Sequence, residues 1–182
     1  MKNIFTTIFL AVFCATLFVI AKPAASQNNF LRVKSHLVFN KEFSGIAKVI
    51  DGDSISVDDR EVRLFGIDAP EYHQTCFDSK KREYSCGKAS QEFLYDLING
   101  KKVTCHYAEK DKYNRFLGKC EINKISINQE IVKNGMAVIY NFTESDDAID
   151  ALEAKAKEQK IGIWQGAFQL PKDYRKSHPR VK

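Results

Sequence analysis

Histidine is scarce in this chain, with four in 182 residues. None of His36, His73, His106 and His178 has a partner at metal-ligand spacing, and no Cys-x-x-Cys pair is present, so neither a zinc finger nor a histidine-based zinc centre is supported. There is one tryptophan, Trp164, expected to pack into the core just past a helix. Internal repeats and low-complexity tracts are missing too, which leaves out solenoids and disordered arrays. Charge of either sign is modest. The net charge of +5 suits a polyanionic partner without requiring one.

What remains is ordinary globular composition, 44% hydrophobic and 28% charged, in a length that predicts one domain with a real core. Met1 to Ser26 reads as a secretory signal peptide: Lys2, an apolar run from Ile4 to Ala21, then Ala24-Ala25-Ser26. Removing it takes away Lys2 and Lys22, two of the five net positive charges, and leaves +3. The run approaches spanning length, so a retained membrane anchor is the rival reading. Lipidation at Cys14 is not expected, because the small residue that should precede it is missing.

The rest of the chain then carries four cysteines, Cys76, Cys86, Cys105 and Cys120. An even number in an exported chain predicts two disulfides, with three connectivities open. Sequence context favours Cys76–Cys86, across a polar loop, and Cys105–Cys120, between two apolar stretches.

Residues 27–42 form a lead-in, and Phe43 to Ile50 is the first convincing strand. Ile55 and Val57, then Val62 and Leu64, alternate with polar neighbours and predict a hairpin. A two-residue turn at Asp59-Arg60 would pair Ser56 with Arg63 and put Asp51, Asp53 and Asp68 on one face. Crowded carboxylates of this kind hold hard cations such as Ca²⁺. Arg63 would point the other way unless a bulge at Gly52 or Gly66 re-aims a strand end. Asp-Gly-Asp alone is a plain turn, and it lacks the other ligands of an EF-hand loop.

Tyr72 to Gly87 is a charged loop, and Lys80, Lys81 and Arg82 at its tip suit either solvent or phosphate. Lys88 to Asn99 has helical spacing and ends at Gly100; Val103–Tyr107 and Phe116–Ile122 read as strands. A short helix is expected near Gln129 to Asn134 and a short strand over Ala137 to Tyr140. The last helix is capped by Ser145, with Ile149, Leu152, Ala156 and Ile161 on its buried face. Residues 167–182 are a basic tail, expected to be a frayed, solvated end. Periodicity establishes a mixed, strand-first fold.

Asp51-Gly-Asp-Ser, then Arg63-Leu-Phe-Gly-Ile-Asp-Ala-Pro-Glu71, Asp111-Lys-Tyr-Asn-Arg115, Asn134-Gly-Met-Ala137 and Gly162-Ile-Trp164 occur in that order. Together they resemble the thermonuclease, or staphylococcal nuclease-like, family over Phe43 to Trp164. The resemblance implies a five-stranded OB-fold β-barrel with three helices, in a domain spanning residues 43–166. It implies a Ca²⁺ ion held by Asp53, Asp68 and the main-chain oxygen of Ala69, with Asp51 in a turn or outer-shell role. Glu71 falls at the general base, Arg63 and Arg115 at two phosphate-binding arginines, and Tyr113 at a nucleotide contact. Tyr140 falls near the base pocket. Ser54 stands where threonine is usual.

The implied activity is endonucleolytic hydrolysis of DNA and RNA to 3′-phosphate ends, single-stranded or frayed regions being the favoured form. A monomer is expected, with no protein partner indicated. A non-catalytic OB-fold module that binds nucleic acid or oligosaccharide is the alternative. The intact Asp53, Asp68 and Glu71 set speaks against it, because anions weaken phosphate binding unless a metal is present.

Overall fold

In a computed structural model, residues 37–140 and 147–179 are described. The signal segment, Cys14 and the Ser145 cap lie outside them. The first long strand, β1 (Lys41–Asp51), pairs antiparallel with β2 (Ser54–Val57), and β2 with β3 (Arg60–Leu64). A short β4 (Ile67–Asp68) follows, then a loop carrying the two-residue strands β5 (Cys76–Phe77) and β6 (Glu83–Tyr84). Helix α1 (Cys86–Ile98) leads into β7 (Lys102–Lys110) and β8 (Phe116–Ile122). After β9 (Ile125–Ser126) come α2 (Ile127–Lys133), β10 (Val138–Ile139), α3 (Asp147–Glu158), a 3-10 turn (Gly162–Gln165) and α4 (Pro171–Ser177).

The sheet order is β3-β2-β1-β7-β8-β9, and a parallel ladder between β3 and β8 closes five of these strands into the expected barrel. Asn128 on α2 seals the closure. Its side chain accepts from Cys120 N–H (3.0 Å) and donates to the carbonyls of Phe65 (2.9 Å) and Gly118 (3.3 Å). Ile55, Val57, Val62 and Leu64 alternate into the interior with Val103, Cys105 and Cys120, and α1 and α2 add Leu94, Ile98, Ile131 and Val132. Ser126 caps α2, its hydroxyl accepting from Gln129 N–H. Ile149 and Ala156 are the buried face of α3.

Trp164, half-buried, packs with Phe168 on a second, smaller core cluster of Cys76, Cys86, Val138 and Ile163 rather than on the main one. Both favoured disulfides form. Cys76–Cys86 ties the loop to α1, and Cys105–Cys120 joins residues directly opposite each other on β7 and β8.

Two further expectations are corrected. The β2–β3 turn is Asp58-Asp59, not Asp59-Arg60, so Ser54 rather than Ser56 faces Arg63. Asp58 and Asp59 both have positive φ (45° and 62°), a conformation that aspartate tolerates in two-residue hairpin turns. The Asp58 carboxylate also accepts from Ile46 N–H at 3.1 Å, which anchors the turn on β1. The basic tail, expected to fray, forms α4 with Pro171 at its start. Four α-helices therefore accompany the barrel among the described residues, against three expected. None of them is long and apolar enough to cross a membrane.

Candidate active site

The chain reverses through Phe65 and Gly66 between β3 and β4, and Gly66 takes a positive φ of 82° that suits glycine. The β1–β2 ladder is also irregular between Val49 and Asp51, just before Asp53, so both strand ends depart from the flat register where Arg63 meets the acids. Its guanidinium pairs with Asp53, meets Asp68 Oδ1 at 2.9 Å and donates to the Ile67 carbonyl at 3.3 Å. The ion pair is largely dry: the Asp53 and Asp68 side chains are 4% and 2% exposed, that of Arg63 17%. Burial pushes the Arg63 pKa down, opposed by the charges of Asp68 and Asp51. Asp51 accepts from Asp53 N–H at 3.1 Å, the turn role expected of it.

Asp53 is further fixed by Ala69 N–H (2.8 Å to Oδ2) and by the Ser54 hydroxyl (3.2 Å to Oδ1). Ala69 thus engages Asp53 through its amide. Arg115 arrives at the end of the β7–β8 loop, gripped by Asp111 through Nε (2.9 Å) and Nη2 (2.7 Å). The Asp111 carboxylate also accepts the N–H groups of Tyr113 and Arg115. Burial alone would raise the Asp111 pKa, but these bonds together hold it below its usual value. From there Arg115 Nη1 reaches the Ser54 hydroxyl at 3.5 Å, which links it to Asp53.

Glu71 follows Pro70 in a loop shaped by Gln74, whose side chain is fully buried. Gly87 is required here. A Cβ on it would run into the Glu71 carbonyl, so only glycine lets α1 start this close.

Arg175 was not among the expected site residues. From α4 its Nη1 bonds Asp68 Oδ1 (2.8 Å) and Glu71 Oε1 (3.0 Å), and its Nη2 bonds Asp68 Oδ2 (3.0 Å). Burial would lower the Arg175 pKa, but the bonds and charges of Asp68, and then of Glu71, outweigh it and raise the value. Beside it lies a cleft of about 370 Å³ lined by Tyr140, Lys172, Arg175 and Lys176. Tyr140 is held there by its N–H on the Gly66 carbonyl (2.9 Å). Tyr113 stays out on the β7–β8 loop, 67% exposed, with the Arg115 guanidinium 5.3 Å from its ring centre.

Residues 61–166 match the family model described as Staphylococcal nuclease homologue. The chain belongs to the staphylococcal nuclease family. An uncharacterized endonuclease of Escherichia coli is 34% identical over 131 residues, covering 69% of this chain and 79% of that protein. The succinoglycan biosynthesis protein ExoI of Rhizobium meliloti is 34% identical over 123 residues, 66% of this chain and 64% of its own. A probable endonuclease of Pyricularia oryzae is 31% identical over 129 residues, 64% of this chain and 49% of its own. Arg175 lies beyond the stretch that matches the family model.

The family implies a divalent cation. Among the described residues, no three acidic, histidine or cysteine side chains form a ready-made metal cage. Asp53 and Asp68 nonetheless offer buried, hard oxygen donors (3% and 1% exposed), with positive charge already drawn to them from two arginines. That chemistry fits Ca²⁺ or a similar hard ion.

Proposed function

We propose that this protein is an exported, Ca²⁺-dependent endonuclease that hydrolyses DNA and RNA to 3′-phosphate ends. The observation that carries this reading is the convergence of Asp53, Arg63, Asp68 and Glu71 within one network of charged contacts at the turn from β3 to β4. Asp53, Asp68 and the Ala69 carbonyl are the proposed holders of the ion, which when bound supplies Lewis-acid polarisation of the phosphoryl oxygen.

Glu71 takes the proton of the attacking water. The water oxygen bonds to phosphorus, the P–O5′ bond breaks, the departing O5′ takes a proton from solvent, and a 3′-phosphate and a 5′-hydroxyl remain. Arg63 and Arg115 offer forked donors to the non-bridging oxygens, where charge grows in the transition state. Arg115 is pre-oriented for this by Asp111, so little ordering is left for the reaction itself. Tyr113 and Tyr140 are proposed to contact the nucleotide. Strand ends and single strands suit them better than a closed duplex, because an unstacked base exposes a face on which an aromatic ring can stack. Export is supported by the signal-like N-terminus and by two disulfides, which persist in oxidising compartments.

The test is hydrolysis of single-stranded and duplex DNA and of RNA by oxidised protein, with Ca²⁺ or with a chelator, followed by analysis of the product ends. Glu71→Ser should lower kcat by roughly 10²–10⁴-fold, the usual contribution of a positioned base, and Arg63→Ala should also fall sharply. Binding without cleavage under any divalent ion would make the protein a nucleic-acid-binding module. Undiminished cleavage by Glu71→Ser would remove the base.

A further inference from the structure

Arg175 covers the carboxylate that a cation would need. Its two arms take both oxygens of Asp68, and Nη1 reaches Glu71 as well. Asp68 Oδ1 already accepts Arg63 too, so the donors facing it are both arginine side chains. A hard cation binds through these same oxygens, and a guanidinium fork laid across both of them competes with an ion for their lone pairs. One of the two arginines must be the easier to displace.

The surroundings choose which. Arg63 projects from a barrel strand, holds Asp53 as well, and is tied to the Ile67 carbonyl at 3.3 Å. Its side chain is 17% exposed, that of Arg175 36%. Helix α4 does not depend on the Asp68 contact alone. The Tyr174 hydroxyl donates to the His73 carbonyl (3.2 Å), Gln74 Nε2 donates to the Gln169 carbonyl (2.6 Å), and Pro171 is buried.

Building on the metal-dependent reading above, we propose that Arg175 is a tethered rival of the divalent cation, so that the ion reaches Asp68 only as the guanidinium leaves. Helix α4 therefore sets the affinity of the metal site. Because the competitor is part of the chain, the apparent affinity is reduced by the fraction of molecules in which Arg175 is seated.

The experiment is calorimetric titration of Ca²⁺ into the full chain without nucleic acid, so that turnover plays no part. Arg175→Ala and Arg175→Gln should bind Ca²⁺ more tightly than the parent, on the order of tenfold or more. The glutamine variant keeps bulk and polarity should alanine disturb the fold, and circular dichroism checks both. Lys176→Ala removes the same charge from the next position of α4, where the ammonium is paired with Asp173 (3.0 Å); its affinity should stay close to that of the parent. Asp68→Asn should abolish binding in every background. Unchanged or weaker affinity in both Arg175 variants overturns the proposal, and so does an equal gain in Lys176→Ala, which would reduce the effect to general electrostatics. If neither the parent nor the Arg175 variants bind Ca²⁺ in an Asp68-dependent way, the metal-dependent reading itself fails and takes this inference with it.

Discussion

Gln74 and Glu71 hold each other by two opposed hydrogen bonds: Gln74 N–H donates to the Glu71 carbonyl at 2.7 Å, and Glu71 N–H donates to Gln74 Oε1 at 3.2 Å. The same amide side chain, fully buried, reaches the Gln169 carbonyl just before α4. Replacing it by leucine keeps much of the volume but removes its hydrogen bonds to two backbone groups, Glu71 N–H and the Gln169 carbonyl. Gln74→Leu is expected to lose about 1–3 kcal/mol of stability in urea titrations. Its kcat should fall more than its substrate affinity, since the displaced residue is the proposed base.

Gly87→Ala tests the close approach of α1 to the same loop. The new Cβ meets backbone at Glu71, which cannot rotate away as a side chain would. The variant is expected to lower the melting temperature and to cut hydrolysis severely. A fully active Gly87→Ala would show that the position of Glu71 is not critical.

The Cys105–Cys120 bridge closes a loop with a sequence separation of 15. Its loss in a double serine variant is expected to cost about 3 kcal/mol, the value typical of a loop this size. Thermal unfolding with and without reductant checks this. Added reductant should leave the double variant sensitive only through Cys76–Cys86.

Asp111 predicts a pH dependence. Its folded-state pKa lies below the ordinary value near 3.8, so the unfolded chain takes up a proton more readily than the folded one. The Asp111 contribution is therefore complete above that value and is lost as pH falls through the lower, folded-state one. Asp111→Asn should be less stable than the parent by roughly 0.5–1 kcal/mol at neutral pH. The difference should hold down to about pH 4 and close only in stronger acid, as followed by urea midpoints.

The inward face of the hairpin was legible from alternation even though its turn was not. Moving the turn from Asp59-Arg60 to Asp58-Asp59 shifts the pairing by an even number of residues, so Ile55, Val57, Val62 and Leu64 stay inside while every cross-strand partner changes. The meeting of Arg63 with Asp53 and Asp68 was not fixed by strand parity, which opposed it; it required a re-aimed strand end at Gly52 or Gly66, and the structure is irregular at Val49–Asp51 and has a positive φ at Gly66. Arg175 escaped notice for a different reason. Pro-Lys-Asp-Tyr-Arg-Lys-Ser has no apolar periodicity to announce a packed helix, although Pro171 at its start and basic residues in its last turn are helix signals. Gln74 carries no local signature, since its partners come from the preceding loop and from Gln169.

The parallel ladder that closes the barrel pairs Val62 with Phe116, segments separated by a loop, a helix and a whole strand. Chain entropy must be surrendered over that distance before the contact returns any energy, which places folding among slower, topology-limited domains, in milliseconds to seconds. Asp53, Arg63 and Asp68 lie within one short hairpin and its exit, whereas Arg175 arrives from the far end of the chain. Bringing Arg175 to Asp68 closes a separation of 107 residues, so that contact carries a larger loop-closure entropy than the meeting of the acids with their strand arginine.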